Sequence, residues 1–303
     1  MERKHLLQRM TMPLPELERY YRERRKERFD RGEPFRGVAL RRVLHPLLLG
    51  GMKMLHLLNR QKITILGDKR VPTDRPILFA ASHIGWNDIE MIFSSIGDHT
   101  WLFWGDPKVS YRTMDGLLLD MNGIIVCDTQ DKTDRAIAKA NCINWLLQGG
   151  NLLIFPEGAW NVTENLPVMP LFPGAAEMAI RTGAEIVPLA IEQYGRSYTV
   201  NIGENIRPAA GDEKGSLTVR LRDAMSTLKW EIWESKPPAK RAQFPPDVRE
   251  RELQSRLHIH YTMGDVNKTR FRTREEREQE DAFAHLDRLI PRRENAFLFR
   301  KVP

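Results

Sequence analysis

The chain is expected to adopt an α/β fold: a mostly parallel sheet flanked by helices, preceded by an amphipathic N-terminal helical hairpin and followed by a charged helical C-terminal extension. Three observations predict this. From residue 62 onward, short apolar runs alternate with amphipathic stretches of helical period. Several of those runs are continuously apolar, the mark of strands covered on both faces. Before residue 60 and after residue 215 the character shifts toward charged helical sequence.

The elements follow in order. Residues 15–30 (PELERYYRERRKERFD) predict a helix rich in both charges, broken by Gly32, Pro34 and Gly37. Residues 38–59 predict a second helix, with Leu44, Leu47, Leu48, Met52, Leu55 and Leu58 on an apolar stripe. Arg36, Arg41, Arg42, Lys53 and Arg60 surround that stripe, and Pro46 is expected to kink the helix or end its first half. Such a stripe suits either a membrane interface or the protein's own core. The most apolar stretch, residues 43–58, holds His45, Pro46, Lys53 and His56 and is shorter than the roughly 20 apolar residues of a spanning helix.

Strands are expected at 62–66, Ile77–Ala81, 101–104, 123–127, 151–155, 186–191 and 198–202. Helices are expected at 88–95, 114–121, 133–147 (ended by Gly149-Gly150) and Gly174–Thr182 (closed by Gly183). A further amphipathic helix spans 217–234, and a Pro- and basic-rich linker follows at 236–246. Helical stretches at 248–263 and 273–289 carry few apolar positions, which predicts a packed appendage or a partly mobile segment. The division is therefore 1–60, a helical membrane-associating region; 61–215, the α/β domain; and 216–303, the charged extension.

Composition narrows the function classes. The 303 residues are 41% hydrophobic and 29% charged, with a net charge of +7. That balance suits a folded protein with an anionic partner, such as a membrane surface or an acidic carrier. Nucleic acid is not expected: no helix-turn-helix, zinc-finger or aromatic RNA-binding signature appears, and the terminal Arg residues alternate with Glu. Cys127 and Cys142 form no CxxC or zinc spacing and read as buried thiols, in keeping with a reducing compartment. The charged segment 1–10, with no apolar run and small-residue cleavage site after it, is not expected to be a signal peptide.

Two strand ends carry the candidate chemistry. His83 follows the apolar run Ile77–Ala81 within Ser82-His83-Ile84-Gly85-Trp86-Asn87-Asp88. In α/β sheets the carboxyl ends of strands line the ligand crevice. Five residues on one helix turn about 500°, which would point His83 and Asp88 roughly 140° apart. They meet only if His83 precedes the helix and Gly85 lets the chain turn. A carboxylate on one imidazole nitrogen then leaves the other to take a proton from an alcohol. Taken alone, a His and an Asp at this spacing more often cap a strand and a helix. Phe155-Pro156-Glu157-Gly158 also ends an apolar strand, where Glu157 would bind a substrate hydroxyl or shape the loop. Alone, it too reads as a turn.

Together these blocks resemble a known family. His83–Asp88, Gly123-Ile124-Ile125-Val126-Cys127-Asp128, Phe155-Pro156-Glu157-Gly158 and Ile186-Val187-Pro188-Leu189-Ala190 stand in the order of the four blocks of the glycerolipid acyltransferases, the family of lysophosphatidic acid acyltransferase. The resemblance spans about half the chain. It implies transfer of a fatty acyl group from an acyl thioester, on coenzyme A or acyl carrier protein, to a lipid hydroxyl. His83 would be the general base and Asp88 its orienting partner. Glu157, Gly158, Asp128, Thr129, Pro156 and Trp160 would line or shape the substrate site, and backbone N–H groups would stabilise the oxyanion. No metal or organic cofactor is implied. The expected location is the cytoplasmic face of a membrane, peripheral or monotopic. The alternative is an inactive lipid- or membrane-binding member of the same fold.

The departures concern the acceptor. The family commonly has Arg where Thr129 stands, Thr-Arg where Ala159-Trp160 stand, and Lys where Pro173 stands. Phosphate monoesters favour charge-assisted donors, ideally bidentate Arg. An acceptor other than simple lysophosphatidate is therefore expected, with Trp86 and Trp160 as stacking candidates and Lys108, Lys132, Arg135 and Arg181 as alternative cations.

Overall fold

The computed structural model describes residues 6–105, 111–163 and 166–270. The expected helix at 273–289 and Lys108 lie outside the described residues. Seven strands form one sheet: β1 (Lys62–Asp68), β2 (Ile77–Ala81), β3 (Thr100–Gly105), β4 (Ile124–Cys127), β5 (Asn151–Ile154), β6 (Glu185–Tyr194) and β7 (Ser197–Ile202), in the order β1-β7-β6-β2-β5-β3-β4. From β6 to β4 every neighbouring pair is parallel. β7 returns antiparallel to β6 through a tight turn at Gly195, and β1 runs parallel to β7. The carboxyl ends of β2, β5, β3 and β4 therefore share one edge of the sheet.

The central strands are apolar on both faces because helices cover both. On one face α6 (Lys132–Leu147), α7 (Gly174–Thr182) and α8 (Lys214–Glu234) bury Trp145, Leu146, Met178, Leu217, Leu221 and Met225 with Leu78 and Leu152 of the sheet. On the other, α4 (Asp88–Ile96) brings Met91, Ile92 and Phe93 against Phe79, Leu153 and Val187. Gly123 at the start of β4 lies under the Trp101 ring, where a Cβ would fall 2.3 Å from the indole, and its φ of 124° already favours glycine. α5 (Met114–Asn122) precedes it.

α8, which lies beyond the boundary expected at residue 215, packs its apolar stripe into the core. Two expectations are corrected. β6 extends beyond 186–191 because its polar residues Glu185, Glu192 and Gln193 are buried with partners and continue the strand. The helix expected over 248–263 is two: α9 (Val248–Leu257), ended by His258 in the left-handed region (φ 57°), and α10 (Met263–Arg270). Neither hangs free, since Leu257 and Val266 are buried with Ala159, Val162 and Met169.

At the N-terminus, α1 (Leu6–Thr11) and α2 (Leu14–Asp30) precede α3 (Val38–Leu58). α2 docks on α6 through Arg25, whose guanidinium holds Asp134 at 2.6 Å. α3 runs through Pro46 without ending; Pro46 is exposed, so the carbonyl it leaves unbonded can reach water. Its two buried residues are polar: His45 bonds Asn122 and the Gly97 carbonyl, and His56 bonds Gln61 and Ser94, while Leu49 and Met52 pack on the core. Its outward residues are apolar, with Val43 and Leu47 each 71% exposed and Leu57 77% exposed. Among the described residues, no helix is long and apolar enough to cross a membrane.

Candidate active site

β2 ends in Ala81, and the loop Ser82–Asn87 carries His83 to the sheet edge before α4 begins at Asp88. His83 thus precedes the helix, and the two side chains meet: His83 Nδ1 lies 2.9 Å from Asp88 Oδ2. Asp88 Oδ2 also accepts the N–H groups of Ile84 (2.5 Å) and Gly85 (2.9 Å). A buried carboxylate oxygen with three donors is an acceptor, so Nδ1 carries the imidazole proton and Nε2 holds the lone pair. Among the described residues no hydrogen bond reaches Nε2. The His83 side chain is 21% exposed and that of Asp88 only 1%. The pair therefore has one open side, at Nε2, and a shielded carboxylate behind it.

Gly85 does not serve as a left-handed turn; it is absent from the positive-φ glycines. Its missing side chain makes room instead, since a Cβ there would lie 3.0 Å from the Arg256 carbonyl oxygen and 3.3 Å from the Arg256 Cβ.

Glu157 ends β5's turn beside this loop and is fully buried. One carboxylate oxygen accepts the His83 N–H at 2.9 Å and the other the Met169 N–H at 2.8 Å. Burial pushes its carboxyl up to about 6, against those two bonds and the charge of Lys229. A side chain so enclosed shapes the loops rather than meeting a substrate hydroxyl. Gly158 follows at φ 68°, with Phe172 where a Cβ would stand. Phe155 stacks on the His83 imidazole at 4.3 Å, and Trp160 lies 5.8 Å from it. Trp160 also meets Trp86 at 6.1 Å and Tyr261 at 5.1 Å. The Asn161 N–H bonds the His83 carbonyl at 2.7 Å, tying the two loops together.

Pro156 belongs to this group, its carbonyl accepting the Phe172 N–H. Asp128 and Thr129 do not. They end β4, with β5 and β3 standing between it and β2, or about 14 Å at ordinary strand spacing. Asp128 is paired with Arg22 of α2 at 2.7 Å, and Arg135 bonds the Thr129 carbonyl at 2.7 Å. Arg181 pairs with Glu177 at 3.8 Å. Sequence reasoning missed Arg22 because it alternates with acidic residues, and missed the C-terminal residues around Arg256 because their apolar neighbours are few. Every backbone N–H from His83 to Trp86 is engaged: by Glu157, by Asp88 twice, and by the Arg256 carbonyl. Backbone oxyanion donors therefore do not come from this loop. Among the described residues no cluster of three or more His, Cys, Asp and Glu is placed to hold a metal ion.

Comparison with known proteins bears on the fold that carries this site. The family model described as Acyltransferase matches residues 62–192. A 1-acyl-sn-glycerol-3-phosphate acyltransferase of Chlamydomonas reinhardtii is 22% identical over 190 residues, which cover 62% of this chain and 54% of that protein. The chain thus spans about half the length of this curated relative. The crystal structure of PlsC, the 1-acyl-sn-glycerophosphate (LPA) acyltransferase of Thermotoga maritima, matches with a TM-score of 0.54 at 16% identity, covering 73% of this chain and 91% of that one. At such identity the likeness is one of fold. Residues 62–192 thus match the Acyltransferase family model, and around that segment the chain is similar in fold to a 1-acyl-sn-glycerophosphate acyltransferase.

Proposed function

We propose that this protein transfers a fatty acyl group from an acyl thioester to a lipid hydroxyl, with His83 as general base and Asp88 as its orienting carboxylate. The observation that carries the reading is the Nδ1–Oδ2 bond of 2.9 Å at the carboxyl end of β2, with Nε2 left for the substrate. His83 Nε2 takes the acceptor's hydroxyl proton as its oxygen attacks the thioester carbonyl. The tetrahedral intermediate collapses, the C–S bond breaks, and the thiolate leaves with the proton from the imidazolium. Asp88 faces the imidazolium throughout. Glu157 holds the His83 backbone in register. Transfer is direct, with no acyl-enzyme intermediate, and coenzyme A or acyl carrier protein is the donor's carrier.

The acceptor carries a headgroup other than a bare phosphate monoester. Thr129, Trp160 and Pro173 stand where the family commonly has basic residues or a Thr-Arg pair, and Arg22 and Arg135 are engaged with Asp128 and the Thr129 carbonyl. What lies beside His83 is aromatic: Phe155 and Trp160 face it, and Trp160 in turn meets Trp86 and Tyr261, with Trp86 44% exposed. A sugar or a larger lysophospholipid headgroup suits such walls. The outward apolar face of α3, with Arg42 and Lys53 also exposed, docks on a membrane surface that holds the lipid acceptor.

The test is a panel of lysophospholipid, glycolipid and other hydroxyl acceptors offered with one labelled acyl thioester. Transfer to a lipid hydroxyl, with lysophosphatidate among the poorer acceptors, is expected. Efficient acylation of lysophosphatidate, with acceptor affinity lost on Arg135→Ala, would overturn the acceptor assignment. No transfer to any acceptor would leave only a lipid-binding role.

A further inference from the structure

The loop that bears His83 is held by four backbone N–H bonds, and one of the four goes to a partner outside the acyltransferase segment. Three of its backbone N–H groups are bonded by Glu157 and Asp88. The fourth, that of Trp86, donates to the Arg256 carbonyl at 3.0 Å. Arg256 lies in the last turn of α9, where carbonyls lack intrahelical partners and require one from elsewhere. The bond therefore satisfies a helix end and a catalytic loop at once. Gly85 is what admits the helix end, since any side chain there would press on the Arg256 carbonyl.

Arg256 is itself anchored. Its guanidinium reaches Glu192 at 3.1 Å and the Gln193 carbonyl at 3.2 Å, on the strand adjoining β2. Burial alone would raise Glu192's carboxyl, but Lys229 and Arg256 hold it down at about 2. Lys229 sits 3.0 Å from the same carboxylate and is buried, and the Trp233 indole N–H donates to it at 2.9 Å. The next residue, Leu257, is fully buried against Ala159, Val162 and Met169 of the Glu157 loop, and Arg249 bonds the Val162 carbonyl at 2.8 Å. One short helix thus touches both loops of the candidate site and is pinned to the sheet between them.

We infer that α9 is a positioning element for the acyltransferase centre, and that Arg256 is its key residue: anchored on Glu192, it sets the height of the His83–Asp88 loop through the Trp86 N–H. Arg256 touches no reacting atom, so its role is to hold the base in attacking geometry. This rests on the proposed acyl transfer. Small displacements of a catalytic group reduce rate far more than binding.

The experiment compares wild type, Arg256→Ala, Arg256→Lys and Gly85→Ala in steady-state acyl transfer and in amide hydrogen exchange. Arg256→Ala is expected to lower kcat on the order of 10–100-fold, with KM for the thioester within about twofold and a retained circular dichroism spectrum. Arg256→Lys keeps a cation on Glu192 and should recover most of the loss. Gly85→Ala leaves the Glu192 anchor intact and should lower kcat in the same way. Amides of residues 84–87 should lose protection in Arg256→Ala while those of β2 keep theirs. Unchanged kcat, or unchanged protection of 84–87 in Arg256→Ala, would overturn the inference. A wild type inactive on every acceptor would refute the functional reading alone, because the exchange measurement still reports on the loop.

Discussion

Replacing Asp88 by Asn separates the charge of the His83 partner from its shape. The two side chains are isosteric, and the Asn carbonyl can accept from His83 Nδ1, Ile84 and Gly85 as Oδ2 does now. Three charge-assisted bonds become neutral, at about 1 kcal/mol each. Relief from burying a carboxylate that is 1% exposed offsets a similar amount. Net stability should therefore change by no more than about 2 kcal/mol, or roughly 4–8 °C in Tm. Catalysis loses much more. When Nε2 takes the substrate proton, a positive imidazolium faces Asp88 at 2.9 Å. At an effective dielectric constant of about 20, that attraction is worth about 6 kcal/mol. An amide dipole keeps part of it, leaving a loss of about 3–5 kcal/mol, or 10²–10⁴ in kcat. The assay is release of the free thiol from a saturating acyl thioester with the best acceptor of the panel, alongside a thermal melt. A variant that melts with wild type and keeps kcat within about threefold would refute the role given to Asp88.

Glu157→Gln tests the loop-shaping role through pH. Glu157 sits at about 6 in the fold against an ordinary 4.5, so the folded state binds its proton more tightly than the unfolded chain. Its contribution is full below 4.5 and falls by about 2 kcal/mol as pH rises past 6. The stability difference between wild type and Glu157→Gln should shrink by that amount between pH 4 and 7; a constant difference contradicts the assignment. The thiols provide a check on direct transfer. Burial raises both, Cys127 to about 12, so alkylating reagents should leave the native enzyme active, and rapid inactivation would argue otherwise. Flotation with anionic vesicles should recover the wild type and lose Leu47→Asp, whose side chain stands on the outward face of α3; equal recovery of both would remove α3 from membrane docking.

Most strands and helices were legible because their periods are clean: Ile77–Ala81 and Gly174–Thr182 stand where their apolar runs and closing glycine predict. The junction of His83 and Asp88 was legible too, since five residues can close only when the helix begins at Asp88. What could not be read was direction and distance. Nothing local says that Glu157 turns inward to bond His83 and Met169, or that β5 and β3 separate Asp128 from His83. Arg22 and Arg25 look like a solvated face until α2 is set on the Asp128–Asp134 segment. The C-terminal helices seemed detached because their apolar residues are sparse, yet Leu257 and Val266 each fill a place in one small cluster. Gly85 stands at the bend the sequence suggested and also marks the approach of α9.

The most direct measurement is transfer of a labelled acyl group by His83→Ala, against wild type, with folding followed by circular dichroism. A base bonded to Asp88 and open at Nε2 predicts a loss on the order of 10²–10⁴ in kcat, with the spectrum and melt of wild type preserved. Transfer at a near wild-type rate by a folded His83→Ala would contradict it.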